Sequence, residues 1–369
     1  MSRSLPLTVP LGAAALIAAI VLQIMPMEAI WSPSYGLAAG LLLFSFAMAS
    51  VWRQGAIAAF LLLITVHLAA VPLIAHIGHG EGEMGPSYWA LLVSGWLAAW
   101  SSVTRLTTAA KSLPPSARQA INLLIPLIFG IWLILIWEAI TRGAGVPQVL
   151  LPAPSAIWAK LTGSLPTLWA DFVQTFMKAV IAGYVLGCGI GFGTAILIDR
   201  SPFLKRGLLP VGNMVSALPI IGIAPIMVMW FGFDWQSKAA VVVIMTFFPM
   251  LVNTLEGLSA SSAMQRDLMR TYAASYGQTL LKLRLVEALP FIFNALKINS
   301  TLALIGAIVS EFFGTPIVGM GFRISTEVGR MNVDMVWAEI AVAALAGSAF
   351  YGALVLIERT LTFWHPSNR

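Results

Sequence analysis

Asp267-Leu-Met-Arg-Thr-Tyr-Ala-Ala-Ser-Tyr-Gly-Gln-Thr-Leu-Leu-Lys-Leu-Arg-Leu-Val-Glu-Ala-Leu-Pro290 decides the fold. It reads as a short amphipathic helix, a turn and a second, basic helix that runs on into an apolar segment. The polar stretch that holds it lies between apolar runs ending near Gly257 and beginning near Leu289, and is long for a chain whose other connections on the same side are short. A helix lying on lipid headgroups accounts for such a segment; its length points to something docking there.

Outward from it the chain is a series of apolar runs. Of the 369 residues, 59% are hydrophobic and only 10% charged, against about one quarter charged in soluble domains. A bilayer core about 30 Å thick takes roughly 20 apolar residues per helical crossing. Composition therefore excludes a soluble enzyme, a disordered chain and a DNA-binding domain, and indicates an all-α, polytopic membrane bundle. The basic residues behind the net charge of +6 are scattered in ones to threes rather than gathered in a nucleic-acid-binding stripe. Cys188 is the single cysteine, so no intramolecular disulfide forms. Arg3 before the apolar run Leu11 to Met25 is similar to a signal sequence, but no small-x-small cleavage site follows, so an uncleaved first helix is expected.

Apolar runs and their breakers give four crossings near residues 7–26, 36–52, 55–77 and 87–103, the last the least well marked. A polar connector at 104–118, with Arg105, Lys111, Pro114, Pro115 and Arg118, is the expected domain boundary: an N-terminal membrane region 1–118 and a core 119–369. Six further crossings follow near 119–140, 172–198, 208–232, 238–257, 289–313 and 336–358. With the amino terminus inside, fourteen of the 21 lysines and arginines fall on the cytoplasmic side, among them Arg53, Arg105, Arg200, Lys205, Arg266, Arg270, Lys282 and Arg284. That asymmetry fits ten crossings with both termini cytoplasmic.

The motifs around the opening stretch resemble the permease subunits of bacterial binding-protein-dependent ABC importers, in the group that includes aliphatic-sulfonate, taurine, nitrate and thiamine-precursor permeases. That family's cytoplasmic signature is Glu-Ala-Ala, three residues, Gly, nine residues and Ile-x-Leu-Pro, often with a second Leu-Pro. Asp267 stands at its Glu, Ala273 at its Gly, Leu283 at its Ile, Leu285 at its Leu, Val286 at its first Pro and Pro290 at the second, while Leu268 and Met269 replace the alanines. Leu151-Pro-Ala-Pro-Ser155, Arg200-Ser-Pro-Phe-Leu-Lys205, Ala217-Leu-Pro-Ile-Ile-Gly-Ile-Ala-Pro225, Trp230-Phe-Gly232, Phe248-Pro-Met-Leu-Val-Asn253 and Val309-Ser-Glu311 resemble the same group, in order. The resemblance covers about residues 120–365.

The resemblance implies a six-helix core in the inner membrane that pairs with a second permease copy, a cytoplasmic ATPase dimer that binds the ATP and Mg, and an extracytoplasmic solute-binding protein. Within the cytoplasmic loop 258–288, Asp267, Arg270, Ala273, Ala274, Ser275, Tyr276 and Gly277 are then the ATPase-coupling residues. Ala273 bears on how tight the turn is, because alanine tolerates a left-handed backbone poorly. Glu311-Phe-Phe-Gly-Thr-Pro-Ile-Val-Gly-Met-Gly-Phe-Arg323 and Phe363-Trp-His-Pro-Ser367 look most like permeases for thiamine pyrimidine precursors, with sulfonate, taurine and nitrate as alternatives.

No G-x-x-x-x-G-K-[ST] loop, H-E-x-x-H or G-x-S-x-G occurs, so the chain has no nucleotide cradle or catalytic elbow of these kinds. His76, His79, Glu81 and Glu83 crowd one predicted outer loop, where a flexible polar connection is favoured over a metal site; His67, within a crossing, is expected to face another helix. Charges inside crossings are costly and mark pathways, which makes Lys297 and Glu311 the leading candidates ahead of Lys178, Asn253, Asn299 and Glu339. Pro219 and Pro225, expected within one crossing, and Met229 after them suggest a pore wall along Leu208 to Trp230. Gly183, Gly187 and Gly191 form a small-x-x-x-small ladder for helix packing. An ion-driven secondary transporter calls for an intramembrane carboxylate relay and inverted repeats, and a membrane enzyme for His or acidic residues clustered at one depth; neither pattern is clear.

Overall fold

A computed structural model of the chain describes residues 8–24, 33–51, 56–78, 84–111, 113–201, 203, 207, 219–314 and 317–364. Every regular element among them is helical. They divide into two compact units, residues 1–156 and 157–369.

The first unit holds α1 (Thr8–Ile24), α2 (Pro33–Val51), α3 (Ala56–Gly78), α4 (Pro86–Ala110) and α5 (Pro115–Gly143). Proline opens both α4 and α5, where its missing N–H costs nothing. Leu16, Leu42, Leu62, Leu91 and Trp132 are fully buried in its core. Sparse polar contacts lock the helices. Ser94 Oγ donates to Gly12 O at 3.1 Å, and Ser45 Oγ to Thr65 Oγ1 at 2.8 Å. His67 does face another helix: Trp132 Nε1 donates to its Nε2 at 3.2 Å, and its Nδ1 lies 2.6 Å from Leu63 O. The indole only donates and the carbonyl only accepts, so the imidazole proton sits on Nδ1.

The 104–118 connector is not a boundary in packing terms. α4 continues into it as far as Ala110, 25 residues in all, with the Thr104 and Thr108 hydroxyls turned back onto Trp100 O and Thr104 O, at 2.9 Å each. Arg118 Nη2 then donates to Lys111 O at 3.0 Å, closing the turn into α5. The division falls instead at 156/157, within the short α6 (Pro154–Gly163).

The second unit contains α7 (Leu165–Asp199), α8 (Ile220–Phe231), α9 (Trp235–Ser259), α10 (Ala263–Thr271), α11 (Tyr276–Glu311), α12 (Met320–Gly329) and α13 (Val333–Leu361). α9 is central, packed along α7 and α11, and α13 lies against α11. By length and composition α5, α7, α9, α11 and α13 can each cross a membrane. Two π-helical turns, Val173–Val180 in α7 and Leu280–Arg284 in α11, shift the facing of the residues beyond them.

The glycine ladder is the α7–α9 seam. A Cβ at Gly183 would stand 2.5 Å from Val242 Cβ and 2.6 Å from Ala239 O; one at Gly187 would overlap Thr246 Oγ1, and one at Gly191 would lie 2.5 Å from Phe247 O. One crossing is corrected. Pro219 precedes α8 as its N-cap, so only Pro225 is inside a helix. α8 has 12 residues, about 18 Å of rise, and residues 208–218 lie outside the described residues.

Candidate functional site

The segment that opens the sequence reading folds as a capped hairpin of helices. Gln265 N–H donates to Ser262 Oγ at 3.2 Å while Ser262 N–H donates to Gln265 Oε1 at 2.8 Å, a capping box that starts α10. The same exchange links Ser275 and Gln278 at the start of α11, at 3.4 and 2.9 Å. Between them Ala273 takes the left-handed conformation, φ +50°. The N–H groups of Ala273 and Ala274 close the end of α10 on Arg270 O and Met269 O, at 2.9 and 3.0 Å. The turn tightens at the position where the family motif carries glycine.

No residue of α10 is buried. Met264, Leu268 and Tyr272 follow at four-residue spacing and are 82%, 55% and 77% exposed, so one face is an unpartnered apolar stripe among the described residues. Asp267 and Arg270 form an exposed ion pair at 3.2 Å, and Gly277 is exposed. The other side is tethered: Gln265 Nε2 donates to Glu287 Oε1 at 3.1 Å, and Arg266 Nη1 to Ser261 O at 2.9 Å. Tyr276 Oη donates to Asp199 Oδ2 at 3.0 Å and its ring lies under the Arg200 guanidinium. Arg284 grips the same carboxylate, and its Nε reaches Leu258 O at 2.9 Å. The hairpin is thereby fixed to the ends of α7 and α9.

A buried polar belt occupies the far end of α11. Thr175 Oγ1 donates to Glu311 Oε1 at 2.7 Å, Gly321 N–H to Glu311 Oε2 at 2.6 Å, and Met320 N–H to Thr175 Oγ1 at 2.8 Å. Asp171 accepts from Gly319 N–H at 2.6 Å and from Arg323 Nε at 2.8 Å. That bond holds the Arg323 guanidinium even more firmly protonated than usual. Lys238 is buried and donates to Phe233 O at 2.7 Å, to Ser237 Oγ and to Gly314 O. Lys178 donates to Gln174, whose amide in turn donates to Asp234 at 2.6 Å. This bond and the Trp235 N–H hold the Asp234 carboxyl below the usual range. Glu339, fully buried on α13, faces Asp171 and Arg323 of this belt, so charged groups inside the helices are gathered with one another.

Of the sequence-predicted pathway residues, Glu311 and Glu339 meet in this belt and the others are dispersed. Lys297 pairs with Glu358 at 2.8 Å, far along α11 from Glu311. Met229 and Trp230 are 83% and 71% exposed on α8, and Pro219 caps it. Glu339 is fully buried on α13. His79, Glu81 and Glu83 lie outside the described residues, as does the side chain of His76. Sequence reasoning missed Asp199, Asp171 and Thr175. The repeated Ser-x-x-Gln at 262–265 and 275–278 was a legible signal for the two caps; nothing local announced the partner of Asp199.

Residues 183–363 match the family model described as binding-protein-dependent transport system inner membrane component. The chain is 31% identical over 231 residues to a probable ABC transporter permease of Haemophilus influenzae, covering 63% of this chain and 94% of that protein. It is 30% identical over 251 residues to a formylaminopyrimidine transport permease of Halalkalibacterium halodurans, covering 68% of this chain and all of the relative. A putative aliphatic sulfonates transport permease of Bacillus subtilis is 27% identical over 277 residues, 70% of this chain and 97% of that one. The apolar helices agree with these matches: the chain belongs to the inner membrane components of binding-protein-dependent transport systems, as a non-catalytic, multi-pass permease subunit of an ABC importer for small solutes.

Proposed function

We propose that α10 is the coupling helix of this importer and that the transported solute is a thiamine-type pyrimidine precursor. The observation that carries the first part is a helix with no buried residue, showing Met264, Leu268 and, at its C-cap, Tyr272 outward while its Gln265 is tethered to Glu287 of α11, which is in turn held to α7 through Tyr276. An apolar stripe of that kind suits a groove in an ATPase subunit. Closure of two ATPases, with ATP and Mg bound in them, then reaches the crossings as rigid-body rocking and gives alternating access. The pyrimidine assignment is supported by the formylaminopyrimidine permease, matched along its whole length over a stretch as long as residues 119–369. Aliphatic sulfonate, taurine and nitrate are the alternatives, and sulfonate and taurine permeases are also among the relatives.

In this reading the functional core is 119–369, paired with a second copy of the chain and served by an extracytoplasmic binding protein. The ten crossings put both termini in the cytoplasm, and residues 1–118 add four helices outside the transport core. Pro219, Pro225, Met229, Lys297 and Glu311 belong to the walls of the pathway, the last two through the ion pair and the belt that fix its shape. An ion-driven transporter would continue to work without an ATPase. Uptake of labelled hydroxymethylpyrimidine in cells with and without the gene, with sulfonate and nitrate as competitors, tests the solute. Loss on deletion, indifferent to both competitors, is expected; unchanged uptake overturns the pyrimidine assignment, and uptake surviving inactivation of the ATPase overturns the importer mechanism.

A further inference from the structure

About midway along α11 the side chain of Asn294 is exposed. Its Nδ2 donates to Asn253 Oδ1 on α9 at 3.3 Å, and Asn253 Nδ2 donates to Pro249 O at 2.8 Å. The Pro249 carbonyl orients the Asn253 amide, which orients that of Asn294. Among the described residues the Asn294 side chain has no other partner, so its carbonyl and its second N–H are left open. Val286, Ile298 and Ile305 continue the exposed face, and Thr301 adds a hydroxyl two turns further on. An open amide facing hydrocarbon is strongly disfavoured, so this face of the crossing is turned away from lipid.

Among the described residues of α11, this face has no spare positive charge. Lys297 is the one cation between Val286 and Ile305, and its Nζ is held by both oxygens of Glu358 at 3.0 and 2.8 Å. An anion entering here would lose hydration without gaining a counter-charge, whereas a neutral molecule exchanges water hydrogen bonds for amide ones. Asn299, five residues on, is instead committed to packing, because its Nδ2 is spent on Thr246 O at 2.7 Å and Cys188 Sγ at 3.1 Å.

We infer that Asn294, held by Asn253, is a solute-contacting residue of the pathway that selects uncharged molecules bearing adjacent hydrogen-bond donor and acceptor groups. This rests on the importer reading above. The test is ATP-dependent uptake of a labelled neutral aminopyrimidine and of labelled taurine by the complete transporter, with Asn294→Leu, Asn294→Gln and the near-isosteric Asn294→Asp compared at equal membrane levels. Aminopyrimidine uptake by the unmodified chain is expected, with a loss of about tenfold or more in the Leu and Asp variants and a smaller loss in Gln. Where Asn294→Leu fails to assemble, Asn294→Asp decides. Wild-type uptake by Asn294→Asp overturns the residue assignment, and taurine uptake without aminopyrimidine uptake overturns the neutral class. No ATP-dependent uptake of either probe by the unmodified transporter overturns the importer reading itself, and this inference with it.

Discussion

Arg284 holds Asp199 through both terminal nitrogens, at 2.6 and 2.7 Å, and so joins the start of α11 to the end of α7 across 85 residues of sequence. The two side chains are only 16% and 8% exposed. The π turn at Leu280–Arg284 precedes the long apolar run and brings the guanidinium to that carboxylate. Planar bidentate pairing resists rotation as well as separation, which suits a joint that must carry motion from a hairpin into a crossing.

Removing one partner of such a buried pair leaves the other uncompensated, at a cost of roughly 3 kcal/mol. Arg284→Ala is therefore expected to lower the thermal midpoint of the purified permease and the solute moved per ATP. Arg284→Lys recovers only part, since an ammonium lacks the fork. The double exchange of Asp199→Arg with Arg284→Asp should recover more than either single change. A single variant with unaltered midpoint and transport ratio would contradict the joint.

The outward stripe of α10 makes a separable prediction. Leu268 and Tyr272 touch no buried core of this chain, so Leu268→Glu and Tyr272→Ala should leave the permease monodisperse and equally stable. Capture of the ATPase on affinity beads should fall by about tenfold, the size expected of apolar anchors at a docking surface. Undiminished capture by both variants would remove α10 from the interface.

Ala273 tests the turn. A left-handed alanine carries about 1 kcal/mol of backbone strain, so Ala273→Gly relieves it and should slow proteolysis within the 262–285 hairpin without loss of uptake. Ala273→Val places a β-branched residue at φ +50°, a conformation such residues avoid, and should speed cleavage and weaken ATPase capture. Equal cleavage of all three forms would show that the turn is not under strain.

Much of this architecture was legible because a membrane imposes long apolar periods, and the crossings from α9 onward fall within a turn or so of their expected positions except where α11 begins early. That early start has a cause: Ser275 and Gln278 cap the helix before the apolar run begins, so the polar residues from Tyr276 to Arg284 form the second, basic helix expected from the sequence and run on into the crossing without a break. Glu311 and Lys297 were marked by charge alone, and charge does not name partners; Thr175 lies 136 residues from Glu311 and Glu358 lies 61 from Lys297. The open amide of Asn294 was invisible in sequence, since three asparagines of similar setting differ only in what surrounds them. The displaced domain division has the same origin. Packing of α5 with α3 and α4 through Trp132, His67 and Gly95 is a tertiary fact with no local signature.

The seam between α7 and α9 offers the sharpest contrast within one helix. At Gly183 and Gly191 an added methyl meets backbone carbonyls of α9 at 2.6 and 2.5 Å, whereas at Gly189 and Gly193 nothing lies within 4 Å. Carbonyls cannot rotate aside as a side chain can, so the helices must part, and two apolar helices in lipid have little beyond close contact to hold them. Gly183→Ala and Gly191→Ala should each destabilise the fold by about 1–3 kcal/mol through overpacking, and so lower the thermal midpoint. Gly189→Ala and Gly193→Ala should match or slightly exceed the parent, by up to about 1 kcal/mol of helix propensity. Thermal unfolding of the four variants in one detergent decides it: equal midpoints for all four would mean that the seam is not the contact on which the second unit depends.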